Sequence, residues 1–411
     1  MNDHDAQASF GKNVNLKKSN MSKAPPMLTA LIPAIRMILS KETLVSCSLI
    51  ESEKIPGGIS KALSGLQNMY GLKGDSMEEI LDCLLKKAVT LPAYLHIPNA
   101  GLLCVGRTRF EAGLLHTNAL RIANGEKSVV QELPKAAGRL LNKIAVITGA
   151  AQGFGKGIAI DLFQEGANIV IADLNTDAGK ALENELNKKP SANRARFIHA
   201  DVADPESVQS LVRNTVTGFG GLDIMISNAG ILKAGGLDEM DPGTFELMTR
   251  VNYSGYFNCA KYAAEVMQVQ HQFHPEAFHD IIQVNSKSGL KGSKKNFAYA
   301  GGKFGGVGLT QSFALELMPY RIKVNAVCPG NFFDGPLWSD PENGLFVQYL
   351  AAGKVPGAKT IEDVKHHYES QVPAGRGCEV KDVTKAILYA IEQEYETGQA
   401  IPVTGGQEML H

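Results

Sequence analysis

An apolar run at 144–147, the turn TGAAQGFG at 148–155 and the amphipathic helix behind it constrain this chain more than any other feature. A second apolar run, 167–172, ends in Asp173. Strand, glycine turn, helix and strand in that order make a β–α–β unit. Such units build parallel sheets with helices on both faces. Gly149, Gly153 and Gly155 allow a sharp turn and a close backbone approach to a ligand. The N–H groups and positive dipole end of the following helix favour an anion there, such as a pyrophosphate. Asp173 is placed to accept hydrogen bonds from ribose hydroxyls, and its charge repels a 2′-phosphate. The unit therefore predicts NAD rather than NADP.

The alternation continues to the C-terminus. Strands are expected near 144–148, 168–173, 196–200, 223–227, 280–285, 322–327 and 399–403. The fold class is α/β, a Rossmann-type doubly wound parallel sheet with a small N-terminal α+β appendage. Sites on such sheets gather at the carboxyl ends of the strands, and Asp173, Asp201, Asn228, Ser286 and Pro329 all fall there.

Ser286, Tyr299 and Lys303 have the spacing of one reaction centre. Tyr299 and Lys303 are four apart, so on a helix they share a face, one turn from each other. A free Tyr has a pKa near about 10, too high for a base at neutral pH. A cation one turn away lowers it. The Ser286 hydroxyl can hold the reacting oxygen. A Tyr-x-x-x-Lys pair alone is usually packing or surface; its company in this chain makes it a candidate site.

From about residue 140 onward the chain resembles the short-chain dehydrogenase/reductase family. The resemblance rests on TGAAQGFG at 148–155, Asp201-Val202, Asn228-Ala229-Gly230, Asn252, Ser286 with Tyr299 and Lys303, and Cys328-Pro329-Gly330. NSKSG at 285–289, GSKKN at 292–296, KFGGVGLTQS at 303–312 and TGQAIPVTGGQ at 397–407 are similar to its sorbitol-6-phosphate dehydrogenase branch. The resemblance implies Tyr299 as general base, Lys303 as the group that lowers its pKa and holds the nicotinamide ribose, Ser286 as the polarising hydroxyl and Asn252 in a proton relay. It implies a cofactor lined by Gly149, Gln152, Gly153, Phe154, Gly155, Asp173, Asp201, Val202, Asn228, Ala229, Gly230, Tyr299, Lys303, Pro329 and Gly330. It also brings Asn331 to the substrate, and it implies a homodimer or homotetramer.

Between Ser286 and Tyr299 lie Lys287, Lys291, Lys294 and Lys295. A charge run is usually a solvated face. This one is pinned at both ends by candidate catalytic residues, so at least one of these lysines is expected on an anionic substrate group, for which a phosphate is suited. The stretch 331–372 is longer than a connection requires and begins with Phe332, Phe333 and Trp338. It reads as a substrate lid, with aromatic residues that either shield the reaction from water or are permanently packed.

The 411 residues are 44% hydrophobic and 20% charged, with a net charge of −1, ample for a core and unsuited to nucleic-acid or membrane-surface binding. The six cysteines are scattered, so neither a disulfide framework nor a zinc site is expected. No apolar stretch is long enough to span a membrane, and a cytoplasmic setting is expected. His271, His274 and His279 lie close together but read as a surface loop rather than a metal site.

Residues 1–26 are polar and expected to be a disordered tail. Residues 27–132 form a small unit, and 140–411 the NAD-binding catalytic domain. In the small unit, Leu28, Leu31, Ile32, Ile35, Ile38 and Leu39 share one helical face, which predicts a core-facing helix. Strands are expected at 93–97 and 102–105, a capping box at Thr108 and Glu111, and a helix stop at Asn124-Gly125. The stretch IPNAGLLCVGRTRFEAGLLHTNALRIANG resembles the C-terminal half of class II aldolase domains. It carries no His-x-His zinc pair, so a structural appendage is expected and not a second activity. The chain as a whole is expected to interconvert a sugar-alcohol phosphate and a ketose phosphate, best sorbitol 6-phosphate and fructose 6-phosphate. The alternatives are another polyol or a 3-oxoacyl substrate, or a sensor of sugar phosphate and NAD without turnover.

Overall fold

The computed structural model describes residues 24–40, 43–56, 66–87, 91–188, 190–351 and 353–409. The expected tail lies outside these residues up to position 23. Its last three residues are the exception, because the first helix, α1 (Ala24–Leu39), already begins at Ala24. Pro25 and Pro26 suit a first helical turn, where the backbone N–H has no partner to lose.

The N-terminal part continues with β1 (Ser46–Glu51), β2 (Met69–Gly71), α2 (Met77–Lys87), β3 (Tyr94–Ile97), β4 (Gly101–Gly106) and α3 (Arg109–Ala123). Its four-stranded sheet has the order β1-β4-β3-β2. β4 pairs antiparallel with both neighbours, and β2 pairs parallel with β3. The expected turn lies between β3 and β4. Thr108 caps α3, its Oγ1 accepting from Glu111 N at 3.2 Å. The reciprocal half of the expected box is shifted by one residue, since the Glu111 carboxylate accepts from Arg107 N at 2.7 Å. Gly125, at φ +82°, follows the end of that helix.

The second sheet has seven parallel strands, β5 (Ile144–Thr148), β6 (Asn168–Asp173), β7 (Ala195–His199), β8 (Ile224–Ser227), β9 (His279–Val284), β10 (Ile322–Pro329) and β11 (Ala400–Val403). Each lies within two residues of its expected place. Their order is β11-β10-β9-β8-β5-β6-β7. The chain runs outward one way from β5 and the other way from β8, so the crevice between these two is the switch point where ligands bind. The helices are α4 (Gly153–Gln164), α5 (Thr176–Asn187), α6 (Pro205–Phe219), α7 (Pro242–Thr249), α8 (Gly255–Phe273), α9 (Phe297–Leu317), α10 (Pro336–Ser339), α11 (Leu345–Ala351), α12 (Ile361–Ser370) and α13 (Val380–Glu392).

α1 joins the two parts. Leu31, Ile32 and Ile35 are fully buried and share one apolar core with Leu95 and Leu103 of the small sheet and with Val216, Cys259 and Met267 of α6 and α8. Burying side chains of this kind contributes roughly 1.5–3 kcal/mol each. Ala34 and Met37 are buried as well, so α1 is enclosed on more than the one expected face.

The histidine cluster is not a surface loop. His279 opens β9, is fully buried, and its Nδ1 lies 3.3 Å from Gln270 Nε2. Burial pushes its pKa down to about 3, against the pull of Asp223, so the ring is neutral. His271, on α8, meets the Tyr320 ring edge-on. Among the described residues no group of His, Cys, Asp and Glu is arranged to hold a metal, and no helix is long and apolar enough to cross a membrane.

Candidate active site

A cavity of about 720 Å³ opens at the carboxyl ends of the parallel strands. Its first wall is the turn after β5. Gly149 and Gly153 hold φ +64° and +57°, which side chains rarely tolerate. A Cβ at Gly149 would stand 2.9 Å from Ala229 Cα. The turn therefore runs close under the loop that follows β8. Asn228 ties the two together, donating from Nδ2 to Thr148 O at 2.9 Å and Gly149 O at 3.1 Å. Gly155 does not line the cavity; a Cβ there would meet Gly149 O at 2.1 Å, so its role is to let the helix start pack beneath the turn.

Asp173 ends β6 and lines the cavity. One carboxylate oxygen accepts from Ala151 N and the other from Asn175 N, both at 2.9 Å. The carboxylate is thus locked beside the glycine turn. Gln152, Phe154, Asp201, Val202, Asn228, Ala229, Gly230, Pro329 and Gly330 also face the cavity.

Ser286, Tyr299 and Lys303 line the same space. Ser286 leaves β9 and caps a short turn, its Oγ accepting from Ser288 N at 3.1 Å. Tyr299 and Lys303 lie on α9, as their spacing predicts. Burial pushes the Tyr299 phenol up to about 12, and a hydrogen bond with Ser286 only partly counters it. The expected lowering by Lys303 does not offset this burial. The Lys303 ammonium lies 5.5 Å from the Tyr299 ring centroid and donates to Val284 O at 2.9 Å. Burial pushes Lys303 down to about 8.

Asn252 stands behind the cavity wall, not in it. It lies in a π-helical turn (Arg250–Ser254) between α7 and α8 and is buried. Its side chain accepts from Ile231 N at 3.1 Å and donates to Ile231 O at 2.8 Å. A Cβ at Gly230 would be 2.7 Å from Asn252 Oδ1 and 3.8 Å from Lys303 Nζ, so these two polar groups flank one point.

Of the four lysines between Ser286 and Tyr299, only Lys287 lines the cavity. Lys291 turns to Glu408 at 3.3 Å, Lys295 pairs with Glu239 at 2.7 Å, and Lys294 is exposed. A second cation arrives from elsewhere: Lys354, from 331–372, lines the cavity and sits 3.7 Å over the Tyr349 ring. Burial pushes Lys287 down to about 8, with Glu408 opposing and Lys354 adding to the shift. Asn331 lines the cavity with its Nδ2 buried and unpartnered, poised to donate to a ligand.

Residues 331–372 contribute α10, α11 and α12 and line one side of the cavity. Phe333, Trp338, Phe346 and Tyr349 pack into a core of their own, with Trp338 5.1 Å from both Phe333 and Phe346. Phe332 stacks on Phe154 at 4.4 Å, joining this segment to the glycine turn. Trp338 and Tyr349 also face the cavity, so packing and shielding are combined in the same residues.

Sequence reasoning passed over Lys354, whose approach depends on long-range folding, and Asn285. Asn285 accepts from Ser286 N at 2.8 Å and donates to Lys303 O at 2.9 Å, holding the strand end against α9. The NSKSG run that begins with it was the available signal.

The geometry fits a nicotinamide cofactor: a turn whose glycines are required by positive φ or by close backbone packing, an acid fixed at the next strand end, and a polar triad at the far side. Comparison with known proteins agrees. The short chain dehydrogenase family model matches residues 143–338. The sorbitol-6-phosphate 2-dehydrogenase of Escherichia coli K12 is 36% identical over 275 residues, 66% of this chain and 100% of that protein. The trans-4-hydroxycyclohexanecarboxylate dehydrogenase of Sinomonas cyclohexanicum is 32% identical over 281 residues, 67% of this chain and 96% of that protein. The crystal structure of sorbitol-6-phosphate 2-dehydrogenase from Erwinia amylovora superposes with a TM-score of 0.59 at 36% identity, covering 65% of this chain and 100% of that one. With a parallel seven-stranded sheet, a glycine turn and a Ser–Tyr–Lys set in one cavity, this chain belongs to the short-chain dehydrogenase family and is an alcohol dehydrogenase that uses a nicotinamide cofactor.

Proposed function

We propose that the chain is an NAD-dependent polyol-phosphate dehydrogenase that interconverts sorbitol 6-phosphate and fructose 6-phosphate. One observation carries the reading: Ser286, Tyr299 and Lys303 share a cavity with two cations, Lys287 and Lys354, neither of which is in an ion pair among the described residues. The likeness to two sorbitol-6-phosphate dehydrogenases supports it. Asp173 supports NAD over NADP, because its fixed charge would face a 2′-phosphate.

A nicotinamide cofactor held at the glycine turn and Asp173 would supply the acceptor for the hydride that leaves the carbinol carbon in the oxidative direction. The Tyr299 phenolate takes the hydroxyl proton, and the carbonyl forms as the O–H and C–H bonds break. Ser286 Oγ donates to the reacting oxygen. Since burial holds the proton on Tyr299, the base depends on a nearby cation, and Lys303 is the one on the same helical face. Asn252 Oδ1 and Lys303 Nζ flank Gly230, an arrangement that suits a water-linked proton path out of the site. The lid at 331–372 keeps water from the reacting carbon.

The unit at 27–132 is read as a docked scaffold of the domain at 140–411, not a second catalytic centre. A homodimer or homotetramer is part of the proposal, with exposed Phe257, Phe304 and Leu315 as apolar surface for it. A cytoplasmic setting is supported by six unpaired cysteines.

The test is initial-rate NAD reduction with sorbitol 6-phosphate, unphosphorylated sorbitol and a panel of other polyol phosphates. Sorbitol 6-phosphate should exceed sorbitol in kcat/KM by about tenfold or more, the worth of one charge-assisted contact. Equal values for the two would remove the phosphate from the proposal. Absence of turnover across the panel would favour the sensor reading.

A further inference from the structure

A second cavity, of about 400 Å³, lies between the N-terminal part and the dehydrogenase sheet. One wall is a single face of α3, with Arg109, Gly113, His116 and Leu120 at helical spacing. The opposite walls are β1, the start of β7 with Arg196, and the end of α6.

The cavity is cationic, and among the described residues its two guanidinium groups, Arg109 and Arg196, have no carboxylate partner. Arg109 stacks 5.1 Å over the Phe219 ring, and its Nε is shut off from solvent with no hydrogen-bond partner. Arg196 reaches solvent. Among the described residues no carboxylate lies within ion-pair distance of either guanidinium. Lys54 adds a third positive charge at the rim, and the one carboxylate lining the cavity, Glu51, is already held by Lys54 at 2.6 Å. His116 donates no compensating negative charge; its Nδ1 meets Ser48 Oγ at 2.9 Å. Burial, followed by Arg109, Lys54 and Arg196, pushes His116 down to about 4, so it is neutral. Arg109 itself is pushed down to about 10, by burial first and then by Arg196 and Arg194.

Two glycines make room for the guanidinium groups. A Cβ at position 113 would stand 3.1 Å from Arg109 Nη1, and one at 218 would stand 2.7 Å from Arg196 Nη1. Planar guanidinium groups with free N–H donors match phosphate oxygens, and a buried unpaired one is costly until an anion joins it.

We propose that this cavity is a binding site for a small phosphate-bearing molecule, held by Arg109 and Arg196 and separate from the catalytic cavity. A doubly charged phosphate monoester would offset most of the positive charge. The volume leaves space for a small polar body beside the phosphate, with His116 and Ser48 within the same walls.

The experiment is calorimetric titration of the full-length chain with inorganic phosphate, glucose 6-phosphate and glucose, repeated on Arg196→Gln, Arg109→Gln and Lys287→Gln. The proposal expects saturable phosphate binding that Arg196→Gln and Arg109→Gln each weaken by about tenfold or more and that Lys287→Gln retains. Turnover of Arg196→Gln in phosphate-free buffer should match the parent chain. Glucose 6-phosphate binding at least tenfold tighter than phosphate identifies an ester as the ligand, and equal or weaker binding identifies the free ion. Arg196 is exposed, so its variant keeps the test informative if Arg109→Gln does not fold. Binding left unchanged in a folded Arg196→Gln, or abolished altogether by Lys287→Gln, would overturn the proposal.

Discussion

Arg36 and Asp223 are 187 residues apart in sequence and form a bidentate ion pair with both side chains at 0% exposure. Arg36 Nη1 and Nη2 donate to the two carboxylate oxygens at 3.0 and 2.8 Å. Arg36 also donates from Nε to Val45 O and from Nη2 to Asn142 O, and Asp223 also accepts from Ile144 N. The pair thus ties α1 to the first and fourth strands of the dehydrogenase sheet in sequence order, at the ends opposite the cavity. Buried pairs of this kind add little net stability against an apolar replacement, but losing one partner strands a charge.

Arg36→Met should therefore destabilise the chain by about 3–5 kcal/mol, read as a lowered denaturant midpoint. Arg36→Met combined with Asp223→Leu should recover part of that loss. Burial pushes the Asp223 carboxyl up, but Arg36 and Lys143 outweigh it and hold it well below the usual carboxylate range. A depressed folded-state pKa contributes stability at pH values above the unfolded pKa of about 4 and loses it as pH falls below that value. The parent chain should show this acid loss. The double variant should show it less steeply. Equal acid sensitivity in both would contradict the assignment.

Tyr299→Phe removes the proton acceptor and little else. Turnover should fall by about a hundredfold or more, the usual worth of a positioned base. The dissociation constant for NAD, followed by fluorescence, should stay within a few-fold. Near-full activity in this variant would end the proposed mechanism.

Asp173→Ala should weaken NAD by about tenfold or more, since a charged acceptor of ribose hydrogen bonds is lost. It should also improve NADP relative to NAD, because a repulsive charge disappears. The side chain also holds Ala151 N and Asn175 N, so Asp173→Asn is the milder companion variant. Equal use of both cofactors by the parent enzyme would refute NAD selection.

The preference for a phosphorylated substrate should depend on pH. Lys287 is pushed down to about 8 by burial. Its ammonium form exists below that pH and is lost above it. The ratio of kcat/KM for sorbitol 6-phosphate over sorbitol should hold at pH 7 and fall as pH rises through about 8. Lys287→Met should give a low ratio at every pH, and Lys354→Met a partial loss. A ratio independent of pH in the parent chain would remove Lys287 from phosphate recognition.

The local features of this chain were legible from its residues alone. β5, β6 and β8 of the large sheet are short, mostly apolar runs bounded by polar turns, and the regular strand–helix alternation places the other strands. Gly149 and Gly153 occupy positive φ angles that the turn demands, and Asp173 follows its strand by adjacency. Tyr299 and Lys303 needed only the pitch of one helix. What the tertiary structure decided depends on partners far away in the chain. Arg36 is a charge within a mostly apolar helix, yet it is buried, because Asp223 meets it from just before β8. His279 looked like a loop residue, yet the ladder with β10 starts at it and encloses it. Four lysines beside the site looked equivalent, but Glu408 draws Lys291 aside, Glu239 draws Lys295, and Lys354 comes in from the lid. Arg109 and Arg196, which line one cavity from separate elements, are related by no sequence period at all. Periodicity determines which face a residue takes within its own element, whereas charge pairing and burial are settled only when separate elements pack and exclude water between them.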